Sequence, residues 1–295
     1  MVKRRGQPIH GWVNLDKPRG ISSAKALAIV RRVFDAAKAG HAGTLDPLAS
    51  GVLPIALGEA TKTVAYAMEG TKSYAFTVTW GAQTTTDDLE GDVVGRSSLR
   101  PTQAAITAII PKFTGDILQA PPVFSAIKID GKRAYELARE ALRSSGSVGP
   151  GSSSDLSVML EMEPRLVRID TLLLQALTAD EATFHVTCGK GTYIRSLARE
   201  MARQLGTVGH ISMLRRVAVG SFVDSSSISL DFLQTLEHSS AVFEYKHPVV
   251  SALDDILAFP ISGDEAFKLR HGQSLPIVSA SAQARVASLQ PDVVA

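Results

Sequence analysis

The chain has 295 residues, 31 Lys+Arg against 29 Asp+Glu, and 45% hydrophobic residues. That apolar content excludes a chain disordered as a whole, and the length fits one large domain, alone or with a small companion. The one cysteine, Cys188, excludes an intramolecular disulfide and a thiolate metal cage. No signal peptide follows the basic start, and the longest uncharged apolar-leaning runs, such as 47–58, are too short for a membrane span, so a reducing, cytoplasmic setting is expected.

In chain order, Gly11–Leu15 reads as a short strand closed by the turn Asp16–Gly20. Ser22 or Ser23 then caps a helix with apolar positions Ala26, Leu27, Val30, Val33 and Phe34, ended by Gly40. After the loop 41–51, Val52–Ala56 is a buried strand and Glu59–Met68 a helix. Lys72–Trp80 alternates as a strand, with Tyr74, Phe76, Val78 and Trp80 on one face. Helical patterns recur at Thr102–Ile110, Arg133–Leu142 and Tyr193–Leu205, with Thr192 as an N-cap. Strand patterns recur at Phe124–Ile129, Leu166–Leu173, Ala182–Cys188 and Met213–Val219. The elements interleave without a strict βαβ period, which indicates an α+β fold. The Ser/Gly run 144–154 reads as a flexible loop inside a domain. A domain boundary is expected near His247-Pro248, giving units 1–247 and 248–295, the second with one helix, Gly263–Arg270, and short strand-like pieces.

Near-neutrality hides a segregation of charge. Residues 1–72 carry 11 basic against 5 acidic side chains, residues 181–220 carry 6 against 2, and residues 221–265 carry 1 against 8. If the basic segments meet in space they attract phosphates, although solvated helix faces account for the same counts.

No Walker loop, dinucleotide fingerprint or HExxH is present, and the seven histidines are scattered, so metal catalysis is not expected. The loop 40–51 holds a lone carboxylate, Asp46, before Pro47 and between Gly43 and Gly51. Proline forces the preceding residue out of the helical region, and glycine lets a ligand approach the backbone. Such a carboxylate can serve as nucleophile or general base, or simply shape the loop as an Asx turn. A second segment, Cys188–Arg199, joins a strand to a helix and places Tyr193 and Arg195 at the helix start. Arg195 can pair with Asp46, or can form a solvated ridge with Arg199 and Arg203 while Tyr193 packs.

The run Gly40-His41-Ala42-Gly43-Thr44-Leu45-Asp46-Pro47-Leu48-Ala49-Ser50-Gly51-Val52-Leu53-Pro54-Ile55 resembles the signature of the TruB family of tRNA pseudouridine synthases. Further similar motifs follow the family order: Leu15–Gly20 with its Lys-Pro pair, Gly58–Lys62, Lys72–Tyr74, Thr84–Gly91, Gln119–Lys128, Gly191–Leu197 and His210–Arg216. The resemblance spans about residues 10–220.

It implies a pseudouridine synthase fold, a mixed and largely antiparallel sheet flanked by helices. It also implies a small PUA-like C-terminal β domain, left incomplete at Ala295. The implied activity is isomerisation of the T-loop uridine of tRNA, position 55, to pseudouridine, without cofactor or metal, by a monomer. By the same resemblance Asp46 is the nucleophile, Tyr74 stacks on the base and takes a proton, and Arg195 pairs with Asp46. Tyr193 and Leu214 line the pocket and His41 contacts RNA at the flipped nucleotide. Lys17 belongs to the RNA-facing set, with a chiefly structural part for it and Pro18. One departure is Phe124, where many relatives carry Tyr, which removes a hydroxyl from a loop thought to grip RNA.

The chemistry is coherent with these residues. Detaching and rejoining a base needs a carboxylate that attacks C1′ or deprotonates C2′, a flipped nucleotide and an aromatic surface to receive it. A non-catalytic tRNA-binding or folding module using the same basic surface is the alternative. An aspartate-dependent glycosidase is weaker, because no second carboxylate adjoins Asp46 in sequence.

Overall fold

In a computed structural model, residues 6–125, 128–129, 132–134, 137, 162–254, 256 and 261–275 are described. The strands are β1 (Gly11–Lys17), β2 (Ala39–His41), β3 (Ser50–Leu57), β4 (Lys72–Trp80), β5 (Ala82–Thr84), β6 (Val93–Arg96), β7 (Gly115–Gln119), β8 (Lys128–Ile129), β9 (Lys132–Arg133), β10 (Arg165–Leu177), β11 (Glu181–Cys188), β12 (Gly209–Val219), β13 (Phe222–Val223) and β14 (Ile228–Ser229). The helices are α1 (Ser23–Val33), α2 (Val64–Glu69), α3 (Gln103–Ile109), α4 (Ile194–Gln204), α5 (Leu230–Thr235) and α6 (Gly263–Arg270).

Ten of these strands make one sheet in the order β14-β1-β3-β12-β4-β11-β10-β7, with β2 added on β3 and β13 on β12. The pairs β1/β14 and β3/β12 are parallel and the others antiparallel, which makes this the α+β mixed sheet expected. The core lies where β1, β3, β4, β11 and β12 meet α1 and α4, with Leu15, Leu53, Phe76, Phe184, Val30 and Leu197 among its buried side chains. Phe76 and Phe184 face each other across β4 and β11 and stack with ring centroids 5.2 Å apart. Both rings are fully buried. Phe184→Ala is therefore expected to destabilise the domain by about 3–5 kcal/mol, read from urea denaturation midpoints.

Several expected boundaries shift. The first helix is capped by Ser22, whose side chain accepts from the Lys25 amide, but it ends at Val33 rather than Gly40. Asp35 turns the chain at φ 45°, and Gly40 lies inside β2, paired with Ala56. The helix expected over Glu59–Met68 is broken into a 3-10 turn, Gly58–Lys62, and α2. There the Thr61 and Thr63 hydroxyls donate back to the Gly58 and Ala60 carbonyls, competing with continued α-helix. Thr192 does not cap α4; the cap residue is Tyr193, and the Thr192 hydroxyl donates to the Gly189 carbonyl. Of the strand expected over Phe124–Ile129, Phe124 and Ser125 lie outside any strand and Lys128–Ile129 forms β8. The helix expected over Arg133–Leu142, the run 144–154 and the strand-like pieces of the tail lie, in most or all of their length, outside the described residues.

The chain divides into compact units 1–252 and 253–295. The expected boundary at 247–248 thus falls within the first unit, for a physical reason. His247 exchanges backbone hydrogen bonds with Trp12, and the Trp12 indole donates to the Val249 carbonyl at 3.2 Å. In the second unit, α6 opens on a capping box between Ser262 and Glu265.

Candidate active site

The Asp46 loop is the connection of a hairpin. His41 at the end of β2 pairs with Ile55 in β3, and residues 42–49 span the gap between the two strands. The sequence anchors this loop at several points. Leu45 and Leu48 are buried in the core on either side of Asp46. The Ser23 hydroxyl, at the start of α1, donates to the Leu45 carbonyl and accepts from the Leu45 amide, each at 2.8 Å. Gly20 donates to the Pro47 carbonyl at 2.8 Å, so the Lys-Pro turn and the aspartate loop are tied together. At Gly51, φ is +99° and an added Cβ would lie 2.2 Å from the Arg216 carbonyl, so only glycine lets β3 approach β12 here.

Pinned this way, Asp46 presents a carboxylate that is 41% exposed, and its Oδ2 meets Nη2 of Arg195 at 2.9 Å. Arg195 is only 6% exposed. Its Nη1 donates to the Thr86 carbonyl and its Nη2 to the Phe124 carbonyl, both at 2.9 Å. Nε lies 3.7 Å from Oδ2 of Asp88, whose side chain is 3% exposed. The planar fork therefore spans three chain segments at once, a task suited to Arg and not to Lys. One turn along α4, Arg199 forms an ion pair with Asp87 and donates to the Ala120 carbonyl at 3.3 Å. The solvated ridge of arginines does not form, because only Arg203 stands well exposed.

Tyr74 sits in β4, directly opposite Arg216 in β12, and packs against the main core. Burial pushes its phenol above the usual range, and the charge of Arg216 pulls the other way. Tyr193 is held by two backbone bonds to the Gln119 side chain, its amide donating at 2.7 Å and its carbonyl accepting at 3.2 Å. Burial likewise raises its phenol. Leu214 is buried opposite Phe76, in the cluster on which Tyr74 rests. His41 is half-buried with a buried, unpartnered Nδ1, and burial together with Arg216 lowers its pKa, which favours the neutral imidazole. Phe124 contributes its carbonyl to Arg195, a role that needs no hydroxyl.

Lys17 is corrected. It is 0% exposed and its ammonium donates to the carbonyls of Pro18 and Ile21, so it shapes the turn beside the aspartate loop. Burial lowers its pKa to about 8. Between pH 8 and 10.5 the folded chain then holds fewer protons here than the unfolded chain, so this group's cost fades as pH rises. Lys17→Met is accordingly expected to gain stability relative to wild type at pH 7.5 and to lose that relative gain by pH 10, read from paired denaturation curves.

Sequence reasoning left Arg216 and Asp88 inside motifs without roles. The signal for Arg216 was a cation on the same strand face as Leu214, where an apolar residue belongs. A concavity of about 560 Å³ lined by Phe113, Ile117, Gln119, Arg199 and Arg203 holds none of Asp46, Tyr74 and Arg195. Among the described residues no group of His, Cys, Asp and Glu is arranged to hold a metal, and no helix is long and apolar enough to cross a membrane.

Comparison with known proteins decides the family. Residues 31–148 match the model of the TruB family pseudouridylate synthase N-terminal domain, and residues 195–258 that of the tRNA pseudouridylate synthase B C-terminal domain. The tRNA pseudouridine synthase B of Rhodospirillum rubrum is 48% identical over 276 residues, covering 94% of this chain and 85% of that protein. This chain belongs to the TruB family. Its Caulobacter vibrioides relative, also a tRNA pseudouridine synthase B, is 43% identical over 290 residues, covering 98% of this chain and 88% of that protein. Among solved structures, a Cbf5-Nop10-Gar1 complex contains a chain of the same fold, with TM-score 0.66 and 26% identity over 90% of this chain and 68% of that one. The expected fold, a mixed sheet flanked by helices, is the family fold.

Proposed function

We propose that this protein isomerises uridine to pseudouridine in tRNA, at position 55 of the T-loop, working as a cytoplasmic monomer. The observation that carries the reading is the Asp46–Arg195 pair at 2.9 Å, half-open to solvent, on a hairpin loop that the TruB family membership places in a pseudouridine synthase. Asp46 is the group that acts on the ribose, at C1′ as nucleophile or at C2′ as base. Arg195 keeps its carboxylate ionised and aimed. Tyr74 stacks on the everted base and takes the C5 proton after the base is rejoined through carbon. Tyr193 and Leu214 bound the base, and His41 contacts RNA where the nucleotide leaves its stack. The second unit, 253–295, is assigned to a PUA-like RNA-binding piece by the sequence resemblance.

Release of tritium from tRNA labelled at uridine C5 is the direct test, with carbodiimide mapping to locate the product. No release from any tRNA would refute the reading and leave the binding-module alternative. The basic segments 1–72 and 181–220 further lead us to expect that tRNA affinity falls about 10³-fold or more between 50 and 200 mM salt, measured by filter binding.

A further inference from the structure

Arg216 is a guanidinium 2% exposed at the centre of the sheet, and among the described residues it takes part in no ion pair. A buried cation without a carboxylate is costly, so it persists only where its hydrogen bonds are placed for a purpose. Its Nε donates to the Val52 carbonyl at 2.8 Å and its Nη2 to the Gly43 carbonyl at 3.0 Å, in β3 and in the Asp46 loop respectively. Gly43 is itself fitted to it: φ is +86°, and an added Cβ would sit 3.3 Å from Arg216 Nη1. On its other side Arg216 stands opposite Tyr74 in the β12–β4 register, where same-face side chains are neighbours, and its charge bears on the phenol. One guanidinium thus lies between the loop of the proposed nucleophile and the side chain of the proposed base.

We propose that Arg216 is a positioning residue for the isomerisation: it holds the Tyr74 hydroxyl and the Asp46 loop in register and stabilises Tyr74 as phenolate for the step that removes the C5 proton. This rests on the assignment of Tyr74 as that base. In the step the C5–H bond breaks and its electron pair forms C5=C6. The C6=N1 imine of the adduct takes a proton at N1 from water, and the C5 proton goes to the Tyr74 oxygen. The charged and titratable groups around the phenol are Arg216 from β12, Cys188 from β11 and Asp46 from the loop; Lys72 on its own strand adjoins Arg216 and Cys188. Arg216 alone among the three that bear on the phenol favours the anion; Cys188 and Asp46 oppose it.

The test uses the full chain and tRNA tritiated at C5, with kcat and KM followed against pH. Arg216→Gln should lower kcat about 10²-fold and move the acid limb of the kcat profile up by about 1–2 pH units, with KM near wild type. Arg216→Lys should restore part of both. Neither change should add to that of Tyr74→Phe in the double variant. In otherwise unaltered enzyme, the more acidic fluorotyrosine should shift the same limb down. If fluorotyrosine shifts it and Arg216→Gln does not, Tyr74 is the base and the inference about Arg216 is wrong. If neither shifts it, the assignment of Tyr74 fails and the inference falls with it. Should the Arg216 variants not fold, wild-type protein labelled with 15N-arginine decides the matter. The Arg216 side-chain resonance should follow a phenol titration that is missing in Tyr74→Phe, and a resonance indifferent to that substitution overturns the proposal.

Discussion

Asp46→Asn is expected to lower kcat for C5 tritium release by about 10⁴-fold or more, while tRNA affinity and thermal stability stay close to wild type. The two effects separate because different atoms carry them. The loop keeps its shape through backbone and Ser23 bonds: Gly20 to Pro47, Ala49 to the Asp46 carbonyl, and Ser23 to both polar atoms of Leu45. None of these uses the Asp46 side chain, and asparagine fills the same volume. Losing the ionic half of a pair whose acid is 41% exposed costs roughly 1 kcal/mol or less, and Arg195 retains the Thr86 and Phe124 carbonyls and Asp88. What disappears is an anion able to attack C1′ or to deprotonate C2′, since a neutral amide does neither. Single-turnover experiments with enzyme in excess check the chemical step apart from product release. Turnover at wild-type rate would leave the basic surface as a binding module and refute the enzymatic reading of this loop.

The sequence made the local pieces of this site legible and hid the way they meet. The Gly/Pro setting of Asp46 marks a constrained loop, and the strand-to-helix junction before Ile194 marks a place where Arg195 can point inward. Periodicity also located β4 to the residue, because Lys72–Trp80 alternates cleanly and lies between antiparallel neighbours that each cover one flank. The end of α1 was missed because helix-forming residues continue past Val33, while the pairing of Ala39–His41 with β3 outweighs local propensity. Buried cations were the hardest to see. Lys17 and Arg216 sit in the two basic segments whose summed charge reads as a surface for phosphates. Only the three-dimensional structure shows their donors satisfied by carbonyls from turns and loops. The same holds for Asp88, which the sequence shows only as part of the motif Thr84–Gly91 and the structure pairs with α4.

Arg195→Met should harm both stability and chemistry, and the two can be told apart. Removing the guanidinium takes the cation from Asp88, at 3% exposure, leaving it the Thr86 hydroxyl and the Glu90 amide on Oδ1, and leaves the Thr86 and Phe124 carbonyls without their donor. Breaking a buried pair from one side typically costs about 3–5 kcal/mol, which denaturant titration measures directly. The second effect falls on Asp46. Without its partner the carboxylate is free to swing about χ1 and χ2, and a displacement of about 1 Å at a reacting group is worth on the order of 10²-fold in rate. Arg195→Met/Asp88→Asn separates them: with no stranded carboxylate the stability loss should shrink, whereas turnover should stay at the level of Arg195→Met, because the aim of Asp46 is still lost. Arg195→Lys should recover little turnover, since one ammonium cannot reach Asp46 and both carbonyls together. If the double variant regained turnover along with stability, Arg195 would be a structural brace for the 84–91 loop and Asp46 would need no partner to act.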